Sequence, residues 1–243
     1  MCAAVASALG HGTERVREYQ IACLLHDLGR AGLDRQLFGK IWSWAKTHGV
    51  PTRPREWRAV HPETRYGRET EAFLARYRKE LEADGIAVTP WAKEQVEMRL
   101  GYARRLARRL RAVRAALKKM GVRWASWMQL VMLYYYYPER LVRAKPWVKQ
   151  LAEILVACEQ FEAYSNQRRG RDYYVRKKET IVEAFTYLEK LEQEGVVSRE
   201  VMGALKRLAA NGQFDHIIAE ARGRRLTPQE KTLVRHMERS AWP

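Results

Sequence analysis

The sequence predicts an all-α protein, built as a single helical bundle with a short C-terminal tail helix. Of its 243 residues 47% are hydrophobic, which is enough for a substantial core. Apolar residues recur at spacings of three and four along most of the chain, and strand-like alternation is scarce. Residues that start and end helices interrupt this pattern at intervals. We expect residues 1–225 to form one helical domain and residues 226–243 to form the tail.

Three helices are predicted in the first half of the chain. One begins near Thr13 and runs to the pair His26-Asp27, with Gly29 near its end. A second spans His61 to Leu81. A third begins at Thr89-Pro90, because proline is well tolerated at the first position of a helix, and it continues to Met120-Gly121.

The second half begins with an aromatic segment from Trp124 to Tyr137. Helices are predicted from Trp147 to Tyr164, from about 179 to 194, and from 198 to 210. Thr227-Pro228-Gln229-Glu230 has the pattern of a capping box, in which the first and fourth residues cap each other's backbone amides. This pattern predicts that the tail helix starts there.

The charge balance narrows the classes of partner. A net charge of +17 produces a positive field that attracts polyanions, namely nucleic acid, nucleotides or an anionic membrane face. No stretch approaches the ~20 apolar residues that a membrane-spanning helix needs. Cys2, Cys23 and Cys158 are widely spaced and include no Cys-x-x-Cys pair, so neither a disulfide framework nor a thiolate zinc site is indicated. We expect a cytoplasmic protein in a reducing compartment.

His26 and Asp27 stand side by side in the apolar run from Ile21 to Leu28. Burying a carboxylate is costly unless something compensates its charge. A metal ion would do so, since imidazole and carboxylate together suit a divalent transition metal. From the pair alone, a helix end with Asp27 in a salt bridge to an arginine is the commoner explanation.

Three motifs favour the metal. Leu24 to Arg30 reads Leu-Leu-His-Asp-Leu-Gly-Arg, and Val60-His61-Pro62-Glu63 follows with Gly67 and Phe73-Leu74. Further on, Ala157 to Tyr164 contains Glu159 and is followed by arginines and by Tyr174-x-Arg176-Lys177. These motifs resemble the HD superfamily of metal-dependent phosphohydrolases, and within it the HD-GYP cyclic-dinucleotide phosphodiesterases, over roughly residues 13–218.

The resemblance implies an HD-type helical bundle with a metal site. Its metal ligands would be His26, Asp27, His61 and Glu159, around a divalent ion such as Fe, Mn, Zn or Mg. Asp27 and Arg30 would be the catalytic residues, with Arg30 in place of the family's lysine and bound to phosphoryl oxygens. A metal held there lowers the pKa of a bound water, which can then attack phosphorus.

The sequence also departs from the family between the second and third motifs. Where the family has His-His-Glu and Gly-Tyr-Pro, this chain has four tyrosines, Tyr134 to Tyr137, before Pro138. Tyrosine is a poor ligand at neutral pH because its pKa is near 10, so we expect one ion or none. His11 is the only candidate for an upstream ligand, but it would lie ~20 Å along the first helix from His26.

Further candidate residues suit phosphate and base contacts. Tyr135 and Tyr136 could stack on a nucleobase, or they could fill the core where the family has its metal pocket. An arginine stripe is either a charged outer helix face or a nucleic-acid contact; it comprises Arg104, Arg105, Arg108, Arg109 and Arg111. A second basic run is either a phosphate-binding site or a solvated loop; it comprises Arg168, Arg169, Arg171, Arg176 and Lys177.

These observations favour an HD-type phosphohydrolase-like protein that acts on or binds a phosphate-containing nucleotide, cyclic dinucleotides included, with a reduced metal site. Two alternatives stay open. One is a catalytically inactive regulatory or binding module on the same scaffold. The other is a non-specific nucleic-acid-binding protein that uses its basic surface.

Overall fold

Helices are the regular structure of this protein in a computed structural model, which describes residues 1–165 and 181–236. Within those two ranges there are thirteen α-helices and no strands. The prediction of an all-α fold is therefore confirmed. None of the helices in the described part is long and apolar enough to cross a membrane.

Seven α-helices and the short 3₁₀ turn at Leu28–Arg30 come before Gly121. The chain bends there in a turn with φ 72° at Gly121, and six more α-helices follow. The helices before the bend are α1 (Cys2–Ala8), α2 (Thr13–Leu25), α3 (Arg35–Thr47), α4 (Pro54–Val60), α5 (Glu69–Ala83), α6 (Pro90–Glu97) and α7 (Tyr102–Lys119). Those after it are α8 (Ser126–Leu133), α9 (Pro146–Ser165), α10 (Ile181–Gln193), α11 (Arg199–Ala210), α12 (Asp215–Arg222) and α13 (Pro228–His236).

Side-chain caps begin several of these helices. The Asp34 carboxylate accepts from the backbone amide of Leu37 at 3.0 Å, and the Thr89 hydroxyl accepts from that of Ala92 at 3.1 Å. Thr227 and Glu230 form the expected reciprocal capping box, with contacts of 2.8 and 3.2 Å. Such caps satisfy amides that have no partner within the helix.

The predicted helix from His61 to Leu81 is wrong in its first turns. α4 ends at Val60, His61 is its C-terminal cap, and α5 starts only at Glu69. The reason is Pro62, whose ring disfavours helical backbone at the preceding residue. His61 accordingly has φ −124° and ψ 71°.

The predicted helix from Pro90 to Met120 is broken at residues 98–101. Met98 and Leu100 are both fully buried there, although residues two apart point to different sides of a continuous helix. The break also brings Gly101 so close to α5 and α6 that a Cβ atom would lie 2.6 Å from Glu97 Cγ and 2.9 Å from Thr70 Oγ1. Burial of two neighbouring apolar residues therefore overrides the helical periodicity.

Three apolar clusters form the core. The largest joins α1, α2 and the helices from α8 onward, and it includes Val234 of α13, so the tail helix packs onto the body. A second, rich in tryptophan, lies among α3 to α6. The third lies between α2, α7 and α8 and contains Tyr102 and Tyr136. The end of α2 is where the first and third clusters meet.

Candidate metal centre

The turn that follows α2 is held through its own backbone carbonyls. α2 ends at Leu25, and residues 28–30 form the 3₁₀ turn. The Tyr102 hydroxyl donates to the carbonyl of His26. Arg105 donates from Nε to the Gly29 carbonyl and from Nη2 to the Ala31 carbonyl, each at 2.7 Å. Two side chains of α7 thus fix the path of this turn.

Gly29 is required at its position by the ring of Tyr102. A Cβ atom on Gly29 would lie 2.5 Å from Tyr102 Cε2, closer than carbon atoms can approach without displacement. Tyr102 is itself buried, and its ring packs on that of Tyr136 with centroids 4.9 Å apart. The backbone of the turn, rather than its side chains, therefore packs against α7.

Arg105 corrects one expectation about the arginine stripe, since it is fully buried and does not lie on an outer face. Its Nη1 lies 2.9 Å from Glu94 Oε2 and 3.8 Å from Glu97 Oε2. A buried guanidinium is tolerated where carboxylates and carbonyls surround it. Arg105 is a structural residue of the turn.

His26, Asp27 and Glu159 come together beside this turn. Each offers one ligand atom, and these atoms all lie within 4.8 Å of one another. Asp27 Oδ1 is 3.8 Å from His26 Nε2. Glu159 comes from α9, far away in sequence, and its burial raises the pKa of its carboxyl group, against the opposing effect of Arg30. The cluster combines one imidazole nitrogen with two carboxylates.

The imidazole of His26 is oriented as in metal-binding histidines. Its Nδ1 lies 2.6 Å from the carbonyl oxygen of Cys23, which can only accept, so Nδ1 bears the hydrogen. In the neutral ring, Nε2 then keeps its lone pair and faces Asp27. A backbone carbonyl that fixes the tautomer in this way is typical of metal-ligating histidines.

Arg30 places a permanent positive charge next to the cluster. Its Nη1 lies 3.0 Å from Asp27 Oδ1 and 3.9 Å from Glu159 Oε1, and its Nη2 donates to the Tyr136 hydroxyl at 2.6 Å. The Tyr136 oxygen and the two carboxylates raise the pKa of Arg30 although burial opposes the shift. When both carboxylates are ionised, one negative charge remains in excess, which favours a further cation.

The cavity at the cluster is small. Its volume is about 10 Å³, and its walls include His26, Asp27, Arg30 and Glu159. A space of this size holds about one water molecule or one ion. The cluster can therefore accept a single metal ion, whereas a nucleotide would have to approach from outside.

The fourth predicted ligand, His61, lies apart from this group. It is not among the residues that line the cavity or form the cluster. Its ring packs on Trp57, with centroids 4.3 Å apart, and its Nδ1 lies 3.7 Å from Glu63 Oε1. His11 also lies elsewhere, since its Nε2 is 2.8 Å from Gln150 Oε1. The structure thus brings together three of the four predicted ligands.

Most of the tyrosine run is core. Tyr134 and Tyr137 are buried and donate their hydroxyls to the carbonyls of Val196 and Leu100, at 2.9 and 3.2 Å. Tyr136 is only 7% exposed and packs on Tyr102.

Tyr135 is half-buried and lies under the guanidinium of Arg53, 4.7 Å from ring centroid to Cζ. Each of the two tyrosines predicted to stack on a base therefore already has one ring face covered, Tyr136 by Tyr102 and Tyr135 by Arg53. The predicted phosphate-binding residues Arg168, Arg169, Arg171, Arg176 and Lys177 lie outside the described residues.

Sequence reasoning missed a group of three thiols behind the cluster. The Cys2 thiol interacts with those of Cys158 and Cys23, and these interactions lower the pKa of Cys2 and raise the pKa of its two partners. Cys23 and Cys158 do stand near His26 and Glu159 in sequence, and this was the available signal. Nothing in the sequence places Cys2 beside them.

The site therefore consists of a backbone-held turn, an imidazole with its Nε2 free, two carboxylates and an adjacent arginine. Comparisons with protein-family models, with curated proteins and with solved structures find no match to this chain.

Proposed function

We propose that this protein binds one divalent metal ion through His26, Asp27 and Glu159, and that it acts on or binds a phosphate-containing nucleotide at this site. The observation that supports it best is the meeting of these three side chains from two distant segments, with His26 Nε2 free to coordinate. The motifs that resemble HD phosphohydrolases contain the same three residues.

The residues present suit such an ion. One nitrogen and two carboxylate oxygens are ligands for Mn, Fe or Zn, while Mg prefers oxygen alone. When bound, a divalent ion would lower the pKa of a water molecule and polarise a phosphoryl oxygen. The cavity has room for one ion, in keeping with the expectation of one ion or none.

Arg30 would hold the phosphate. A guanidinium offers a planar pair of donors that matches two phosphoryl oxygens, and Arg30 lies at the edge of the cavity with a quarter of its side chain exposed. Arginine keeps its proton at all physiological pH values, so it can orient a phosphate but cannot supply a proton to a leaving group.

A second candidate is a metal-free binding module that uses the same residues. The contact between Arg30 Nη1 and Asp27 Oδ1, at 3.0 Å, favours it because the arginine already compensates one carboxylate. For either candidate, the cluster of free thiols at Cys2, Cys23 and Cys158 favours a reducing compartment such as the cytoplasm.

Metal analysis of protein purified without added metal tests the proposal. We expect about one equivalent of Mn, Fe or Zn in the unmodified protein, and loss of that metal in His26→Ala and Asp27→Ala. His48→Ala is the matched control, because His48 is half exposed and caps the C-terminus of α3, outside the cluster. His61→Ala examines the predicted fourth ligand, and the geometry leads us to expect that the metal is retained.

Arg30→Gln separates the two candidates. If the cluster holds a metal, removal of a competing positive charge leaves the affinity for Mn²⁺ unchanged or raises it. If Arg30 is the cation that the carboxylates need, the parent protein contains no metal and Arg30→Gln unfolds at lower urea concentration. Hydrolysis of a phosphodiester, measured with and without added Mn²⁺, then decides between catalysis and binding. A metal-free, inactive parent protein would refute the first candidate.

A further inference from the structure

A segment without acidic residues crosses the middle of the chain. Residues 98–138, here called the acid-free segment, contain no Asp or Glu. It includes all of α7 and α8. Its ten cations are Arg99, Arg104, Arg105, Arg108, Arg109, Arg111, Arg114, Lys118, Lys119 and Arg123.

The cations of α7 differ along its length. In the first half, Arg104 and Arg108 bond to Glu97 at 3.0 and 2.6 Å. In the second half, Arg111, Arg114 and Lys118 are exposed, and none of them has an ion pair with any residue that the structure describes. Their positive charge is therefore directed to solvent.

These three cations share one face of the helix. They are spaced three and four residues apart, and the same spacing continues backward through Ala107 to Arg104. Residues at this spacing lie above one another on a helix. From Arg104 to Arg114 the helix rises ~15 Å, which is long enough for more than one phosphate.

Two cavities lie along this face and share Ala107 and Gln129. We call them together the α7 groove. The small side chain of Ala107 lies where they join. The first, of about 250 Å³, is bounded by Tyr66, Arg104, Tyr137 and Arg140. The second, of about 140 Å³, is bounded by Leu110, Arg111, Arg114, Leu117 and Trp124.

The walls of the α7 groove combine aromatic rings with arginines. Tyr66 and Tyr137 stand at one end, 5.9 Å apart between centroids, and Trp124 stands at the other. The Cζ atoms of Arg58 and Arg140 lie 4.7 and 5.8 Å from the ring centroid of Tyr66, which is 45% exposed. No carboxylate is among the residues that line either cavity.

We propose that the α7 groove binds single-stranded nucleic acid, with Arg111, Arg114 and Arg140 on phosphates and with Trp124 and Tyr66 against bases. Proteins bind single strands with this combination, a cationic groove along the backbone and aromatic faces for successive bases. A duplex keeps its bases stacked inside and could use only the cations.

This proposal is independent of the metal site. The α7 groove shares no lining residue with the cavity at His26, Asp27 and Glu159. Tyr102 and Arg105, which hold the metal-site turn, lie on the opposite side of α7 from Arg111 and Arg114, because each residue advances by 100° around the helix. Failure of one proposal therefore leaves the other intact.

Fluorescence anisotropy with a labelled oligothymidylate and with a duplex of the same length tests it on the full chain. The double variant Arg111→Ala, Arg114→Ala should weaken single-strand binding by about tenfold or more, and its log–log salt slope should fall by about 1.4 for two lost phosphate contacts. Arg78→Ala with Lys79→Ala removes the same charge from exposed positions on α5, and it should change the affinity less than about twofold.

A separate variant tests whether the aromatic ring of Trp124 contributes to binding. Trp124→Leu keeps an apolar side chain but removes the ring, and we expect about fivefold weaker binding of the single strand. Three results would overturn the proposal: equal loss in the groove and control doubles, equal or tighter binding of the duplex, or no loss in the groove double. His26→Ala should bind the oligonucleotide as the unmodified protein does, whatever its metal content.

Discussion

The candidate metal centre at His26, Asp27 and Glu159 and the α7 groove lie against the same helix but have opposite character. The cluster borders a small space of about 10 Å³ and has two carboxylates and an imidazole. The groove has cavities of about 250 and 140 Å³, and arginines and aromatic rings line it without a carboxylate. On a chain with a net charge of +17 and 28 acidic residues, the placement of the acidic residues therefore decides which ligand each region can accept.

The comparison also shows how one helix can serve two regions. On one side, α7 directs Tyr102 and Arg105 at the carbonyls of the turn. On the other side, it directs Arg111 and Arg114 toward solvent. Arg105 is neutralised by Glu94 and Glu97, whereas the solvent-facing pair is not. The same residue type thus has a structural role where carboxylates surround it and is available to a ligand where they are absent.

The largest effect is expected from Arg105→Met, which removes a fully buried guanidinium. It removes the partner of Glu94 and a bond from each of the Gly29 and Ala31 carbonyls, while Glu97 keeps Arg104 and Arg108. Breaking a buried ion pair from one side costs about 3–5 kcal/mol. Urea unfolding measures this loss. Arg108→Met is the control, since Arg108 is 51% exposed and, among the residues that the structure describes, bonds only to Glu97. It should cost less than about 1 kcal/mol. Similar losses of unfolding free energy in both variants would contradict the distinction between the buried Arg105 and the exposed Arg108.

Gly29→Ala tests the close approach of the turn to α7. The added methyl group would meet the Tyr102 ring at 2.5 Å, so we expect a loss of about 2 kcal/mol in unfolding free energy and weaker Mn²⁺ binding. Gly203→Ala, inside α11, would meet only the flexible end of Arg207, whose Nη1 lies 3.2 Å from the added carbon, and it should instead stabilise the protein by about 0.5–1 kcal/mol. If Gly29→Ala is as stable as the parent protein, the ring of Tyr102 is not fixed against the turn.

Tyr136→Phe examines the partner that holds Arg30 beside the cluster. It removes the hydroxyl that accepts from Arg30 Nη2 at 2.6 Å, and the lost bond to a charged group should cost about 1.5 kcal/mol. Tyr134→Phe removes a hydroxyl bonded to the Val196 carbonyl, for about 1 kcal/mol, without change in metal content. Thermal unfolding and metal analysis of Tyr136→Phe and Tyr134→Phe compare the roles of the two hydroxyl groups. A change in metal content in Tyr134→Phe would contradict the assignment of Tyr134 to the core, apart from the candidate metal centre.

The smallest effect concerns Glu230, whose pKa is lowered to about 2 by its hydrogen bond with Arg224. A carboxyl group with a lowered folded-state pKa contributes stability above its ordinary pKa, and this contribution is lost as the pH falls from 4.5 toward 2. Glu230→Gln keeps the capping pattern and should be about 1 kcal/mol less stable at pH 7.

Urea unfolding between pH 7 and pH 2 should show the difference between Glu230→Gln and the parent protein shrinking below pH 4.5. A constant difference over that range would contradict the pKa shift. Glu159 shows the opposite balance, since its burial outweighs Arg30 and raises its pKa. In both carboxyl groups an arginine lowers the pKa and burial raises it, and the net direction depends on which of the two is larger.

Local signals in the sequence were sufficient for the fold class and for several helix ends. Thr227 to Glu230 and Thr89-Pro90 specify their helix starts by hydrogen bonds and backbone geometry within a few residues, and the structure has both. The break at residues 98–101 could not be predicted in this way, because it follows from burial of Met98 and Leu100 in the apolar cluster among α3 to α6. His61 was misplaced on a helix although Pro62 was a visible local signal against it.

The candidate site was predictable in part, and for a different reason. His26, Asp27 and Glu159 were predicted together from motifs, and the structure brings them within 4.8 Å. The burial of Arg105 was not predictable from the sequence. Leu106 places the core on one side of α7, whereas Arg105 is buried because the turn at residues 28–31 covers another side of the helix. Cys2 was missed because its approach to Cys23 and Cys158 depends on how α1 packs.

The backbone contacts of the turn have a consequence for variation at this site. Tyr102 and Arg105 bind the carbonyls of His26, Gly29 and Ala31, and every amino acid has such a carbonyl. Their contacts therefore do not depend on which side chains stand at positions 26, 27 and 30. Selection or design can exchange the reactive groups at those positions while Gly29, Tyr102 and Arg105 preserve the frame, so this turn can acquire or lose a chemistry without a new fold.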